Sequence, residues 1–276
     1  MLAILGGIGA ALAWTATTLT ASRATRYVDS WSLLATVMTV GLVISIPAAA
    51  LSGTPTIHAS NAGWLIVAGC ANVAGLLFAY SALRVGKVGV VAPITSTEGA
   101  VAAVIAVVAG ESLSGGTAGC LIAIALGVAL AAHTPGGGRV HLKSVVLAAL
   151  AALAFGLGLY AAGRNGQSLG IAWAVLPPRV VGVAVIALPL LATRRWRMVR
   201  AALPYAVAGG IFEVVGFASY ALGARHNLAI AAVLASQFAG LAAVFSFLVF
   251  RERLTRIQVA GVVAIVAGVS ALSAIN

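Results

Sequence analysis

The chain has 276 residues, of which 62% are hydrophobic and only 8% carry a charged side chain. A soluble domain has about 25% charged residues, so this composition excludes a soluble globular protein. The formal net charge of +11 does not indicate a nucleic-acid-binding surface, because the basic residues lie at the ends of apolar segments and not on one polar face. We therefore expect an integral membrane protein with the lipid bilayer, and no nucleic acid, as its surroundings.

Ten apolar segments follow one another along the chain, each at or near the roughly 20 residues that a helix needs to cross a bilayer. The connections between them are short and leave no room for a soluble domain. Because helices satisfy their own backbone hydrogen bonds in lipid, the predicted fold is an all-α membrane protein with ten transmembrane helices. The predicted spans are 1–21, 30–51, 62–83, 88–110, 115–133, 144–163, 169–193, 200–222, 227–250 and 257–274.

Basic residues predict the orientation of these spans. Connections after even-numbered spans hold only Arg164 and Arg225, whereas those after odd-numbered spans hold thirteen basic residues. Basic connections usually face the cytoplasm, so we expect both termini outside, in a multi-pass protein of the cell (inner) membrane. The thirteen are Arg23, Arg26, Arg84, Lys87, Arg139, Lys143, Arg194, Arg195, Arg197, Arg200, Arg251, Arg253 and Arg256.

The chain repeats itself at an offset of 141 residues, since Glu252 follows Glu111 by 252 − 111 = 141. The same offset places similar residues at several further positions, including two pairs of glycines within the spans. These matches are Ala10–Trp14 with Ala151–Phe155, Trp64 with Tyr205, Gly69 with Gly210, Gly75 with Gly216, and Gly127-Val128 with Gly268-Val269.

An odd number of spans in each half makes the duplication an inverted repeat. Five spans return the chain to the opposite side of the membrane, so the second half enters from the other face. The predicted organisation is a first five-helix repeat at 1–133, a linking loop at 134–143 and a second five-helix repeat at 144–276. The seam contains Thr134-Pro135-Gly136-Gly137-Gly138, which is typical of a turn.

The two corners at Glu111-Ser112-Leu113 and Glu252-Arg253-Leu254, each followed by a glycine-rich helix ending in Gly-Val, resemble the drug/metabolite transporter superfamily. Specifically, the chain is similar to its ten-helix EamA-type members over essentially its whole length. The resemblance implies a pseudo-symmetric transporter whose central cavity is lined mainly by helices 1, 3, 4, 6, 8 and 9. Members usually place both termini in the cytoplasm, whereas the charge distribution here places them outside.

Three charged residues lie near the midpoints of predicted spans, namely Glu98, Arg179 and Glu213. A charge at the bilayer centre costs at least about 2.5–3.5 kcal/mol on insertion scales, so each needs a structural or functional reason. Glu213 corresponds at the offset to Asn72, and Tyr80 lies eight residues beyond that asparagine. We expect Glu213 and Asn72 in a midplane site. Arg179 either neutralises a carboxylate or holds an anionic group of a substrate.

Glu98 follows Pro93 and a run of hydroxyl-bearing residues, Thr95-Ser96-Thr97. Proline interrupts backbone hydrogen bonding within a span, and hydroxyl groups can satisfy the freed carbonyls. We therefore expect an irregular helix beside a carboxylate. Gln237 is the counterpart of Ser96 in the second half, and we include it in the predicted site. Trp14 also lies on a cavity helix, where its ring can contact a cationic group.

The predicted function is a secondary transporter or facilitator of a small polar metabolite, exporting it by alternating access at the midplane. Two carboxylates with Arg179 favour an amino acid, whereas the carboxylates with aromatic residues suit a cationic amine or drug. A carboxyl group leaving water favours its protonated form, so Glu98 and Glu213 are candidates for proton coupling. A non-transporting subunit of a lipid-handling complex is a third interpretation. We expect no enzymatic activity, no metal and no cofactor, and the oligomeric state stays open.

Overall fold

Helices account for all the regular secondary structure in the described part of the chain. The computed structural model describes residues 1–53, 59–110, 115–132, 142–164, 170–226, 234–235, 237–250 and 255–275. The helices are α1 (Leu2–Ala24), α2 (Ser30–Leu51), α3 (Ala59–Val85), α4 (Val88–Thr95), α5 (Glu98–Val108), α6 (Gly115–Ala132), α7 (Leu142–Arg164), α8 (Ile171–Gly182), α9 (Leu188–Ala192), α10 (Leu203–His226), α11 (Phe238–Phe250) and α12 (Arg256–Ile275). A π-helical turn, Val183–Ala187, joins α8 to α9.

Six helical segments in the described ranges are long and apolar enough to cross a membrane, and three shorter apolar helices accompany them. Helices occupy all or part of every predicted span. The prediction of an all-α membrane protein is therefore confirmed. The six long segments are Leu2–Ala24, Ser30–Leu51, Ala62–Val85, Leu142–Ala161, Ile171–Ala192 and Leu203–Gly223.

Two differences between the predicted spans and the observed helices have a clear physical cause. The span predicted at 88–110 is interrupted between α4 and α5, and the span predicted from residue 200 begins only at Leu203. Pro204 explains the later start, because proline fits the first turn of a helix, where its missing N–H group has no partner to lose. The corners at Glu111 and Glu252, and the seam from Thr134, lie outside the described residues.

The helices pack as pairs that correspond across the two halves of the sequence. The most extensive contacts join α1 to α10 and α3 to α7, and α6 packs against α12. Helices α1 and α7 are counterparts at the 141-residue offset, as are α3 and α10. The α1–α10 and α7–α3 pairs, each of which joins one half of the chain to the other, are therefore equivalent.

Glycine contacts repeat at the same offset. An added Cβ would lie 2.5 Å from the Phe155 ring at Gly75 and 2.5 Å from the Trp14 ring at Gly216. These two glycines are counterparts, and so are the two aromatic residues. Small residues permit such close packing in a membrane, where helix association depends on van der Waals contact. Each half thus seats one aromatic ring of the other against a glycine.

The two ends of the spans differ in charge. Helices α1, α3 and α9 end, and α2, α4 and α10 begin, on one side of the helical bundle, which we call the basic face. On this face lie Arg23 and Arg84 in the last turns of α1 and α3, and the connections carry Arg26, Lys87 and the arginines between 194 and 200. The opposite face is where α2 and α10 end and α8 begins.

The backbones of α1 and α10 cross at Gly6, which provides a test of the packing. A Cβ on Gly6 would lie 2.6 Å from backbone atoms of Gly223, and backbone cannot yield as a side chain does. We expect Gly6→Ala to lower the free energy of unfolding by about 1–3 kcal/mol through overpacking. Gly63→Ala is the control, because nothing lies within 4 Å of its added Cβ. Equal thermal stability of the two variants in detergent would contradict the packing.

Candidate functional site

The interruption between α4 and α5 is built from hydroxyl-bearing residues. Thr95 donates its hydroxyl to the carbonyl of Ala92 at 2.9 Å. Ser96 donates to the carbonyl of Pro93 and Thr97 to that of Ile94, both at 2.8 Å. These bonds satisfy carbonyls at the end of α4 without continuing the helix. The hydroxyl run therefore ends one helix within the membrane and places Glu98 as the first residue of the next.

A cavity of about 560 Å³ lies beside this interruption. It runs between α1, α3, α4, α7, α8, α10 and the start of α11, so both halves of the chain contribute to its wall. Its lining is mainly apolar, and the polar side chains are concentrated near the middle of the helices. The lining residues that carry the argument below are Trp14, Asn72, Tyr80, Glu98, Phe155, Glu213, Phe217, Tyr220, Arg225 and Phe238.

The cavity opens toward the opposite face and is closed at the basic face. Its exposed lining residues, Ala174 and Arg225, lie near the start of α8 and the end of α10. Toward the basic face the lining residues are buried: Tyr80 is 2% exposed, Leu83 6% and Val91 1%. A polar molecule therefore reaches the middle of the bundle from one side only in this conformation.

Glu213 on α10 forms the centre of the polar cluster. One Glu213 carboxylate oxygen lies 3.8 Å from a guanidinium nitrogen of Arg179, and the side chains are 6% and 1% exposed. The same Arg179 nitrogen donates a hydrogen bond of 3.2 Å to the Glu213 backbone carbonyl. Asn72 hydrogen-bonds the Glu213 side chain. These two counterparts at the 141-residue offset thus meet at the interface between the halves.

Two polar atoms on the cavity side of this cluster have no hydrogen-bond partner among the described residues. The Asn72 carbonyl oxygen Oδ1 and the Tyr80 hydroxyl are both buried without a hydrogen bond. Tyr80 interacts electrostatically with Glu213 and Arg179. A buried polar group that lacks a hydrogen bond costs about 1–3 kcal/mol, so both atoms are available to a polar group of a ligand.

Arg179 lies behind the cavity wall, held by shape as well as by charge. Its guanidinium carbon stands 4.7 Å above the centre of the Phe217 ring, a geometry in which a cation is attracted by the aromatic face. Its aliphatic stem fills the space left by Gly41, where an added Cβ would lie 3.0 Å from the Arg179 Cγ. The counterpart of Arg179 is Met38, which fills the same space beside Gly182.

Aromatic rings form one wall of the cavity. The Trp14 ring lies 5.5 Å from that of Phe217, 5.9 Å from Tyr220 and 6.1 Å from Phe238. Edge-to-face and tilted arrangements of this kind are favourable for aromatic pairs. Because a ring face carries partial negative charge, this wall can attract a cationic group held against it.

Glu98 faces the aromatic wall across the cavity. It is only partly buried, and it interacts electrostatically with Glu213 and with Tyr220. No cationic side chain is paired with Glu98 by an ion pair in the described part of the chain, since the buried arginine there is paired with Glu213. The cavity therefore presents one carboxyl group that is not committed to a protein cation.

Five of the seven predicted site residues line this cavity, namely Trp14, Asn72, Tyr80, Glu98 and Glu213. Arg179 does not line it, because its guanidinium is taken up by Glu213 and by the Phe217 ring. Gln237 lies outside the lining and donates its amide to the Ser270 hydroxyl on α12. Its position just before α11 turns it toward a peripheral helix instead of the cavity.

Phe217 and Tyr220 line the cavity but are absent from the predicted site. They follow Glu213 by four and seven residues, the spacing that places side chains on one face of a helix. The seven-residue spacing of Tyr220 from Glu213 is evident in the sequence, as is the eight-residue spacing of Tyr80 from Asn72. A search of the same helix face for aromatic residues would have added Phe217. Arg225 lies at the cavity mouth, although the sequence indicates only its contribution to the orientation of the spans. Because it is far from the middle of any predicted span, nothing in the sequence indicates that it lines the cavity.

Comparisons with known proteins agree with this architecture. Residues 1–132 match the EamA-like transporter family, which agrees over that part of the chain with the resemblance expected from the sequence. None of the curated protein sequences compared with the chain matches it. A solved structure described as "Crystal structure of protein" has a TM-score of 0.66 and 19% identity, covering 98% of this chain and 95% of that chain. At that identity the likeness shows the fold alone.

The buried pair provides a double-mutant test, in which each residue is replaced by its counterpart from the other half. Arg179→Met or Glu213→Asn alone leaves one buried charge without its partner, which costs about 3–5 kcal/mol. The double variant removes both charges and fits residues that already occupy the equivalent positions. We expect it to recover most of the stability lost by either single variant, measured by thermal unfolding in detergent. Additive losses would contradict a direct pair.

Proposed function

We propose that this protein is a secondary transporter of a small organic cation, whose amine binds at Glu98 within reach of the aromatic wall. The observation that carries the proposal is that the two carboxyl groups differ in their partners. Glu213 is neutralised within the protein by Arg179, and Glu98 is left facing an apolar cavity of about 560 Å³.

Charge balance supports a cation over an anion. A carboxylate facing an apolar cavity attracts a cationic ligand group. The attraction between the two charges then offsets part of the desolvation penalty that each charge would carry alone. The rings of Trp14 and Tyr220 add attraction for the same sign of charge. The unpartnered Tyr80 hydroxyl and Asn72 oxygen can accept hydrogen bonds from an ammonium group.

Proton coupling follows from competition at a single carboxyl group. Glu98 cannot hold a proton and an ion-paired cation at the same time, so protonation releases the substrate and substrate binding releases the proton. Exchange of one for the other across the membrane is antiport, and it needs no nucleotide-hydrolysing domain. Glu213 is less suited to this exchange, because Arg179 and Asn72 already bind it.

Alternating access is proposed from the packing of the two halves. We propose repeats at 1–133 and 144–276 joined by 134–143, because equivalent helix pairs and glycine contacts recur at the 141-residue offset. Rocking of one repeat on the other would close the present mouth and open the basic face. The positive-inside rule places the basic face in the cytoplasm, with both termini outside, and export is the proposed direction.

An amino acid is the second candidate substrate, and one observation favours it. The Nε and Nη1 atoms of Arg179 donate to no partner among the described residues, so a substrate carboxylate could bind there if the cluster opened. Against this, Arg179 is 1% exposed and lies behind the cavity wall. The zwitterion therefore requires a rearrangement that the cation does not.

The first experiment is transport into proteoliposomes containing the purified full chain, with an acidic lumen. Three probes share a benzene ring and differ in charge: phenethylamine, phenylalanine and phenylacetate. We expect the lumenal protons to drive more uptake of phenethylamine than the passive accumulation of this weak base in protein-free liposomes. Glu98→Gln should abolish the response to the pH gradient and weaken binding about tenfold to a hundredfold, the value of a charge-assisted bond.

Asp29→Asn is the matched control for that experiment. Asp29 caps α2 by accepting a hydrogen bond from the Ser32 N–H group, and asparagine caps a helix as well as aspartate does. The control removes one negative charge away from the cavity and should transport as the unmodified protein does. Uptake of phenylalanine but not phenethylamine would mean that the substrate is an amino acid and not an organic cation. No transport of any small solute would favour a non-transporting subunit.

The aromatic wall makes a separate prediction. Trp14→Leu keeps an apolar side chain but removes the aromatic face, so the apparent affinity for phenethylamine should fall by roughly twofold to thirtyfold, the range of cation–π attraction. Trp64→Leu is the control, because Trp64 packs on Tyr160 and does not line the cavity. The apparent affinity is measured by competition in the uptake assay. Equal losses of affinity in the two variants would mean that the aromatic wall does not bind the substrate.

A further inference from the structure

Residues 193–202, which we call the arginine loop, join α9 to α10 at the basic face. Four arginines lie within seven positions, Arg194, Arg195, Arg197 and Arg200, and all are exposed. Trp196 and Met198 alternate with them and pack against the core of the bundle. The loop therefore directs its apolar side chains inward and its guanidinium groups outward.

Hydrogen bonds fix the arginine loop to the start of α2. The Trp196 indole donates to the Thr36 hydroxyl at 3.2 Å, and the Arg197 backbone N–H donates to the Ser32 hydroxyl oxygen at 3.1 Å. Ser32 in turn donates to the Asp29 carboxylate at 2.7 Å. A connection between two spans needs no such attachment, so these contacts indicate a loop held in one conformation.

Arg194 adopts a strained backbone conformation. Its φ angle is +55°, in the left-handed region where a residue other than glycine is disfavoured. Its N–H group bonds the carbonyl of Leu191, and the N–H of Arg195 bonds that of Leu190. This is the Schellman arrangement that ends many helices, and its left-handed position is usually glycine. An arginine here gives up some stability, which points to a use for its side chain.

The positive-inside rule explains the sign of the loop but not its structure. Topology depends on the number of basic residues near a span, and a flexible loop of lysines would serve equally well. The backbone strain at Arg194 and the hydrogen bonds to α2 are not needed to set the topology. Arginine, moreover, binds phosphate groups through two parallel hydrogen bonds, which lysine cannot do.

We propose that the arginine loop is a binding site for the phosphate headgroup of an anionic phospholipid in the adjacent leaflet. The loop connects two membrane spans and so lies at the level of the headgroups. Trp31, which is 50% exposed, neighbours the Ser32 that anchors the loop, and Tyr27 is 51% exposed nearby in the chain. Such aromatic side chains are favoured at the headgroup level, and the site is independent of the transported substrate.

Native mass spectrometry of the full chain in detergent tests the proposal, with equal amounts of phosphatidylglycerol and phosphatidylcholine added. We expect preferential binding of phosphatidylglycerol. Arg194→Gly relieves the strained φ angle, so its melting temperature without lipid should be unchanged or higher. Its affinity for phosphatidylglycerol should nonetheless fall about tenfold or more, the value of a hydrogen bond to a charged group. A loss of binding with a gain of stability cannot arise from misfolding.

Lys143→Gln is the control, because it removes one exposed positive charge at the start of α7, and it should bind phosphatidylglycerol normally. Replacing all four arginines by lysine tests the geometry, since charge and topology are kept while paired hydrogen bonds are lost, and the lipid preference should weaken. The proposal is overturned if Arg194→Gly binds phosphatidylglycerol like the unmodified protein. It is also overturned if inorganic phosphate raises the melting temperature while phosphatidylglycerol does not bind.

Discussion

The ion pair between Arg179 and Glu213 is the interaction on which the proposed chemistry depends. It joins α8 to α10 inside the membrane-spanning bundle, with both side chains almost fully buried. Two charges in such a place are tolerated only as partners, because either one alone would carry a large desolvation penalty. Their mutual neutralisation has a consequence across the cavity. Glu98 becomes the carboxyl group that is left for a ligand, and the sign of the preferred ligand charge follows from it.

The two halves of the protein agree in shape and differ in charge. Gly75 and Gly216 seat aromatic rings in the same way, and Gly41 and Gly182 both leave room for a long unbranched side chain. At that position, however, one half has Met38 and the other Arg179. Corresponding positions can thus keep the same packing in both halves while only one half carries a charge. The asymmetry is confined to side chains, where it can specify a ligand without altering the helix contacts.

Much of the fold could be predicted from the sequence because lipid leaves few alternatives. Long apolar segments must be helices, and the 141-residue offset indicated how the halves correspond. The site was less predictable. Glu98 and Glu213 were found because charges in spans are costly, and Asn72 because it is the counterpart of Glu213. Whether Arg179 contacts a ligand or a carboxylate depends on the rotation of α8 about its axis and on the space beside Gly41. The spacing of residues along the sequence specifies neither of these. The contact of Gln237 with Ser270 could not be predicted for the same reason.

The central claim is that this cavity is a transport path with access alternating between the two faces, and cysteine accessibility tests it most directly. Ala68 lines the cavity on α3, and Cys70 and Cys120 can be replaced by serine to give a background for Ala68→Cys. A membrane-impermeant maleimide is applied to oriented proteoliposomes from one side and then from the other. The account predicts labelling from both sides, with phenethylamine changing the ratio. Labelling from one side only, whatever ligand or pH gradient is present, would contradict it.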